Sequence, residues 1–202
     1  MIDYQQFTLD LIKATRLALA EVAAQRPGET VSVFGYETDD DVVVLTPVAN
    51  TVEEHQRLVE RGFYSEEGQV DSLGVQDWPL YGVGREHFEQ LSDTVNQYVH
   101  EPIPARGAEP FSERKRNLLC AFGRALQKAA SAPGGPFLAI FNPDPGLQDL
   151  ALYYCIARLI NQPGPMLDLY TEHVEGTLEA NGTTLEKTLR ELKTKGMLIQ
   201  AL

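Results

Sequence analysis

Histidine and cysteine, the side chains that most often carry chemistry, are few in this chain of 202 residues and stand far apart. The four histidines are His55, His87, His100 and His173. No two have the i, i+4 spacing of a helical metal site, and none has the Cys/His spacing of a zinc site. We interpret them as surface or boundary residues, so the sequence predicts no metal site and no cofactor. A site that assembles only in the folded chain is left open.

Patterns typical of a catalytic nucleophile are also missing. Cys120 and Cys155 both lie within apolar helical patterns, which favours buried, unreactive thiols. No serine occupies a Gly-x-Ser-x-Gly turn. Gly82-Val83-Gly84 lacks the third glycine and the preceding aliphatic strand of a dinucleotide-binding loop. We therefore predict that the protein is not an enzyme.

Carboxylates are abundant, and their distribution is uneven. The net charge is −12, and residues 37–101 alone hold 15 acidic and three basic residues, so the rest of the chain sums to zero. This charge argues against nucleic acid as a partner, because neutralising phosphates requires a basic face. Asp39-Asp40-Asp41 could bind a cation, but it lacks the spacing of a calcium loop. A solvated turn is the simpler interpretation.

Two aromatic residues lie within the same acidic stretch. Trp78, the only tryptophan, and Tyr81 belong to the segment 63–84, which glycine and proline interrupt. Such residues are more often core plugs, but Trp and Tyr are also enriched at interface hot spots, and loops often carry function. We expect both to border an acidic face, with at least one ring edge exposed. The candidate partner-binding residues are Asp39, Asp40, Asp41, Glu53, Glu54, Glu66, Glu67, Asp71, Asp77, Trp78 and Tyr81.

Hydrophobic periodicity and turn residues predict the elements that position these side chains. A helix over residues 3–25 precedes a strand at 30–38, and the three aspartates form the tip of a hairpin whose second strand is 42–45. A short buried strand is predicted at 137–141. Further helices are predicted at 51–62, 85–99, 112–130, 147–161, 166–178 and 184–198. This order favours an α+β fold, with a small, mostly antiparallel sheet covered by helices.

Helix caps and breaks refine this outline. Thr51-x-x-Glu54 and Thr183-x-x-Glu186 have the spacing of capping boxes, and Ser112 can cap the helix that follows it. The break Gln162-Pro-Gly-Pro165 suggests an α+β domain at 1–162 and a helical C-terminal extension, 163–202, packed on it. The role of this extension is left open.

The N-terminus and the apolar stretches bear on location. The first residues lack the basic start and unbroken apolar core of a signal peptide. Apolar stretches such as 137–141 fall far short of the roughly 20 residues that a membrane helix needs. We therefore predict a cytoplasmic protein without a membrane partner. The oligomeric state is not predicted.

The predicted hairpin and the order of segments after it resemble a known family. The run from Val31 to Thr51, VSVFGYETDDDVVVLTPVANT, resembles the opening of the bacterial domain of unknown function 4303 family. Trp78 beside Pro79, then Gly84-Arg-Glu-His-Phe88, and the strand at 137–141 follow in the same order. The resemblance covers about residues 3–162. It implies a small intracellular domain similar in size and acidity to the immunity proteins of bacterial polymorphic toxins, and it carries no functional residues over.

Two hypotheses from different classes follow. In the first, the protein is an immunity protein, or antitoxin, that binds and neutralises a basic protein toxin, for example a nuclease, because a concentrated acidic surface attracts and steers such a partner. This hypothesis expects the hairpin tip and the helices at 51–62 and 85–99 to form one contiguous acidic face. The alternative is an uncharacterised enzyme, for example a hydrolase with a carboxylate and histidine site around His87. A cleft with strongly shifted pKa values would favour the enzyme.

Overall fold

The structure, a computed structural model, describes residues 2–61, 75, 78–101, 111–130 and 135–202. The described residues form seven helices and four strands. The helices are α1 (Tyr4–Gln25), α2 (Val52–Glu60), α3 (Glu89–His100), α4 (Phe111–Ala130), α5 (Leu147–Ile160), α6 (Pro165–Ala180) and α7 (Leu185–Thr194). The strands are β1 (Val31–Glu37), β2 (Thr46–Thr51), β3 (Leu80–Tyr81) and β4 (Phe137–Phe141). A 3-10 turn at Arg85–His87 leads into α3.

The four strands form one mixed sheet in the order β3-β2-β1-β4. β2 is antiparallel to both β1 and β3, and β4 is parallel to β1. The predicted α+β class with a small, mostly antiparallel sheet is therefore confirmed. Because β1 and β4 are parallel and adjacent, their carboxyl ends lie side by side at one end of the sheet. The residues that follow the two strands meet there.

Helices and aromatic rings cover both faces of the sheet. On one face, Tyr36 of β1 hydrogen-bonds to Thr15 of α1 and packs edge-on against Phe122 of α4. On the other face, Phe137 packs against Tyr170 of α6. Side chains alternate between faces along a strand, so a strand buried throughout must be covered on both sides. Every residue of β2 and β4 is buried, as this arrangement requires.

The predicted hairpin is present, but its second strand was placed too early. β2 begins at Thr46, and residues 38–45 form a connection that we call the acidic loop. The aliphatic run 42–45, which suggested a strand, instead packs two of its side chains into the core, since Val42 and Leu45 are buried. Val42 reaches the core with a positive φ of 61°, which a β-branched residue rarely adopts. The short strand β3, in a stretch predicted to be irregular, was missed.

One predicted helix cap is confirmed, and a second lies one residue away from its predicted position. The Thr51 hydroxyl accepts a hydrogen bond from the Glu54 backbone N–H at 3.0 Å, as an N-cap does. The return bond of a capping box is not formed, since the Thr51 N–H donates to the Asn50 side chain at 2.9 Å. At α7 the N-cap is Thr184, whose hydroxyl accepts from the Lys187 N–H at 3.2 Å, so the prediction of Thr183 is wrong. α4 begins at Phe111, which places Ser112 inside its first turn.

The C-terminal helices pack against the rest of the fold. Both α6 and α7 contact α5, and they bury Val174, Leu178 and Leu192 in the same hydrophobic core as the sheet. Within the described ranges, no helix is both long and apolar enough to cross a membrane.

Candidate functional site

The acidic loop is held in shape by the first of its three aspartates. The Asp39 carboxylate accepts hydrogen bonds from the backbone N–H groups of Val43 (2.8 Å) and Val44 (3.4 Å). These bonds close the turn that drives Val42 into the core and leave Val44 exposed, with 41% of its surface accessible. Asp39 therefore acts within the fold and does not offer its charge to a partner.

The second aspartate is tethered to the neighbouring strand end. Asn142, just after β4, donates from Nδ2 to the Asp40 carboxylate at 2.8 Å. Lys115 of α4 donates to the Asp40 backbone carbonyl and forms an ion pair with Asp149 at 2.8 Å. Asp41, the third aspartate, is exposed and makes no ion pair or hydrogen bond to the residues that the structure describes. It is the one free carboxylate of the loop.

Helix α3 brings two more free carboxylates beside this loop. The Ser92 hydroxyl contacts the Leu45 carbonyl at 3.5 Å, which sets the helix against the loop. Between them lies a groove of about 490 Å³, which we call the acidic groove. Its lining residues are Val43, Val44, Leu45, Thr46, Arg85, Glu89, Ser92, Asp93 and Asn96. Glu89 and Asp93 are exposed and, like Asp41, form no ion pair with a described residue.

Tyr81 lies at the border of this groove. Its ring is 36% exposed, and its hydroxyl donates to the buried Glu37 carboxylate at 3.2 Å. Burial, followed by the nearby charge of Glu37, raises the pKa of Tyr81, so the phenol stays protonated and can donate. Thr46 and Arg85, which line the groove, are close enough to influence the same pKa. The expectation that at least one aromatic edge is exposed is confirmed by Tyr81.

Trp78 is in a different position. Only 3% of its surface is accessible, and its ring packs edge-on against Phe141 at a centroid distance of 5.7 Å. The simpler sequence interpretation, a core plug, is the one that the structure shows. An exposed ring edge at Trp78 is not present, so this residue reaches a partner only if the core opens.

Glu53 and Glu54 lie at the other end of the sheet. Helix α2 follows β2, whose last residues pair with the first residues of β1. Since a seven-residue strand rises about 3.3 Å per residue, roughly 20 Å separate these glutamates from the acidic loop. The hairpin tip and α2 therefore lie at opposite ends of the sheet. Since four acidic residues of the predicted face lie outside the described ranges, the single acidic face stays a prediction.

These two glutamates also act within the fold. Glu53 accepts from the Thr30 backbone N–H at 2.8 Å, and this bond lowers the pKa of the Glu53 carboxyl. Glu54 is only 6% exposed and pairs with Arg57, which also reaches Glu29. The i, i+3 spacing within α2 brings Glu54 and Arg57 together, whereas the Glu29 contact depends on the tertiary fold. The other predicted residues, Glu66, Glu67, Asp71 and Asp77, lie outside the described residues.

The thiols fit the prediction that they are unreactive. Burial raises the pKa of Cys155 to about 11 and also raises the pKa of Cys120. Both thiols are therefore protonated at neutral pH, and a protonated thiol is a weak nucleophile.

One histidine does meet carboxylates. Ligand atoms of Glu21, Glu86 and His87 lie within 4.8 Å of one another, the only such group of three or more among the described residues. The His87 Nε2 and a Glu21 carboxylate oxygen are 2.5 Å apart. This hydrogen bond between α1 and the 3-10 turn accounts for the arrangement without a cation.

Sequence reasoning counted Glu89 and Asp93 among the acidic residues but did not select them. Their i, i+4 spacing on the polar face of a predicted helix was the available signal.

In comparisons with known proteins, the chain matches no family model, and no curated protein or solved structure is significantly similar to it. The resemblance described above therefore stays a prediction.

Proposed function

We propose that this protein binds and neutralises a basic protein partner, as an immunity protein does with a toxin, and that the acidic groove is its binding surface. The observation that carries this proposal is the set of three free carboxylates, Asp41, Glu89 and Asp93, beside an exposed apolar side chain. The other two aspartates of the loop, and Glu53 and Glu54 of α2, are engaged in internal contacts. Glu89 and Asp93 line the groove, and Asp41 belongs to the loop that forms its other wall.

The composition of the groove suits a protein interface. Val44 and the Tyr81 ring supply apolar surface that is exposed in the isolated chain. Protein interfaces typically place such groups at the centre and charged groups at the rim. An aromatic side chain with a hydroxyl that already has a partner, as in Tyr81, can be covered without leaving a polar atom unpaired.

The charge of the whole chain supports the same partner class. A net charge of −12 repels nucleic acids and other acidic proteins and accelerates encounter with a basic protein. Arg85 is the single basic residue in the groove lining, so the groove itself keeps an acidic balance. Toxins that cleave nucleic acid carry basic surfaces, and an acidic groove can cover such a surface.

The experiment compares two variants of equal net charge. D41N/E89Q/D93N removes the three carboxylates at the groove, whereas E172Q/E175Q/E179Q removes three exposed carboxylates from α6. Association and dissociation rates are measured against the basic protein encoded beside its gene, at low and high salt. We expect the groove variant to bind about tenfold more weakly, mainly through slower association, because rim charges steer encounter.

The α6 variant serves as the control for net charge alone. It should change the association rate much less than the groove variant, and the difference should shrink at high salt, where charges are screened beyond about 8–10 Å. Equal effects of the two variants, or an association rate insensitive to salt, would contradict the proposal. Failure of the wild type to bind any basic partner would contradict it as well.

A further inference from the structure

A second cavity lies at the end of the sheet where β1 and β4 both terminate. It measures about 310 Å³ and lies between β4, α5 and α6. Its lining residues are Ile140, Phe141, Asn142, Pro143, Pro145, Leu150, Tyr153, Tyr170, His173 and Thr177. Pro143 at its rim is exposed, so the cavity has access to solvent. In open sheets, ligands commonly bind at the carboxyl ends of parallel strands.

Tyr153 is one of the residues that line this cavity, and its hydroxyl is buried. The residue is 1% exposed, and its oxygen has no hydrogen-bond partner among the residues that the structure describes. Burial raises the pKa of Tyr153, and the nearby Asn142 side chain offsets part of this rise, yet no bond of acceptable distance and angle joins the two groups. Buried polar atoms are nearly always hydrogen-bonded, and leaving one unpaired costs about 1–3 kcal/mol. A molecule in the cavity can supply the missing partner.

Other unpaired polar atoms surround the same strand end. Thr38 Oγ1 and Trp78 Nε1 are buried and make no hydrogen bond within the described ranges. Thr38 is joined to Phe141 by a backbone bond of 2.8 Å, and Trp78 packs on the Phe141 ring. Orphaned polar atoms are therefore concentrated around Phe141, one wall of the cavity. This concentration distinguishes the cavity from the other clefts of the described chain.

The charges around the cavity determine what it can hold. Its lining includes no Asp, Glu, Lys or Arg, and His173 is the side chain of the lining that can carry a positive charge. The carboxylates of Asp40 and Asp149 lie near the Tyr153 hydroxyl and disfavour an anion. Asp149 is already paired with Lys115, and Asp40 with Asn142, so neither is free to hold a cation. A neutral molecule fits these constraints.

We propose that this cavity binds a small neutral molecule with a ring and one hydroxyl or carbonyl group, which hydrogen-bonds to Tyr153. The rings of Phe141, Tyr153 and Tyr170 provide an apolar wall for the body of the ligand. The volume lies at the lower end of the range for ligand pockets, about 300–1,000 Å³, and suits roughly ten non-hydrogen atoms. This site lies beyond the acidic groove and does not depend on it.

The test uses 4-propylphenol as the probe and propylbenzene, which lacks only the hydroxyl, as its matched control. Binding to the full chain is followed by NMR, from the chemical shifts of Phe141, Leu150 and Thr177. We expect saturable binding of 4-propylphenol at least tenfold tighter than that of propylbenzene. The variant Y153F should remove this difference, because it deletes the hydroxyl and keeps the ring.

Y36F is the control variant, since Tyr36 is also buried but does not line the cavity, and its hydroxyl is hydrogen-bonded to Thr15 of α1. It should leave the affinity of both probes unchanged. Y153F should also be at least as stable as the wild type, because its lost hydroxyl had no partner. The proposal is overturned if the two probes bind equally, if neither shifts the cavity residues, or if Y36F weakens 4-propylphenol as much as Y153F does.

Discussion

At the residue scale, Asn161 shows how a single side chain can complete the sheet. Its amide accepts from the Leu138 N–H at 2.8 Å and donates to the Leu138 carbonyl at 2.7 Å. Leu138 lies on β4, the edge strand whose inner side pairs with β1. The amide thus supplies both hydrogen bonds that a neighbouring strand would give, and it protects this position of the edge from pairing with another chain.

Replacing Asn161 by leucine should therefore destabilise the protein by about 2–4 kcal/mol, because it leaves two backbone groups unpaired. N181L provides the control, since the Asn181 amide is exposed and bonds only the Thr177 carbonyl at a helix end. Urea unfolding of the two variants measures the effect. A loss for N161L no larger than that for N181L would show that the edge bonds contribute little.

His55 predicts how stability depends on pH. The residue is buried in α2, so the prediction of a surface or boundary position is wrong for it. Burial lowers its pKa below the ordinary 6.5. The unfolded chain therefore takes up a proton at a higher pH than the folded chain does. The contribution of His55 to stability is present above pH 6.5 and is lost as the pH falls through the folded-state pKa.

The variant H55Q removes this titration. Between pH 7 and pH 5, H55Q should lose less free energy of unfolding than the wild type. Above pH 7, the stability of the two proteins should depend on pH in the same way. Unfolding in urea at several pH values measures both slopes. Parallel curves for the two proteins over this range would contradict the assignment.

At the scale of elements, the acidic loop combines two kinds of aspartate. Asp39 is part of the turn through its bonds to two backbone N–H groups, whereas Asp41 is free. D39A should cost about 1–2 kcal/mol of stability, since the turn loses its hydrogen-bond acceptor. D41A should change stability by less than about 0.5 kcal/mol, as surface substitutions usually do.

Thermal unfolding followed by circular dichroism measures the stability loss of each variant. In binding to a basic partner, D41A should slow association more than D39A does, because Asp41 offers a charge that Asp39 does not. Equal stability losses in D39A and D41A would show that the carboxylate bonds do not shape the loop.

At the scale of the whole molecule, one hydrophobic core joins the sheet to the C-terminal helices. Tyr170, Val174, Leu178 and Leu192 are buried within the same cluster as Phe137 and Ile156. The extension at 163–202 therefore covers apolar surface that the preceding residues would otherwise expose. We expect that the chain unfolds as one cooperative unit and that a fragment ending at residue 162 aggregates or unfolds.

The position of Trp78 makes this prediction easy to test. Its fluorescence reports the end of the sheet, while far-ultraviolet circular dichroism reports mainly the helices. The two signals should give one coincident transition in urea. Separate midpoints, or a soluble and cooperatively folded fragment 1–162, would show that the extension is an independent unit.

The sequence by itself determined those features that depend on near neighbours in the chain. The apolar spacing of α1, the Thr51 cap and the short apolar run of β4 were predicted because each is set by residues within one or two turns. The concentration of charge in residues 37–101 is likewise a property of the sequence alone. The α+β class followed from the order of these elements.

The tertiary structure decided which side chains are available for function. Asp39 and Glu54 have the same kind of charge as Asp41 and Glu89, but backbone groups and arginines engage the first two. Val42 belongs to an apolar run typical of a strand, yet the bonds to Asp39 turn it into the core. Burial and pairing arise from contacts between residues that are distant in sequence. A pattern confined to near neighbours cannot distinguish a free carboxylate from an engaged one.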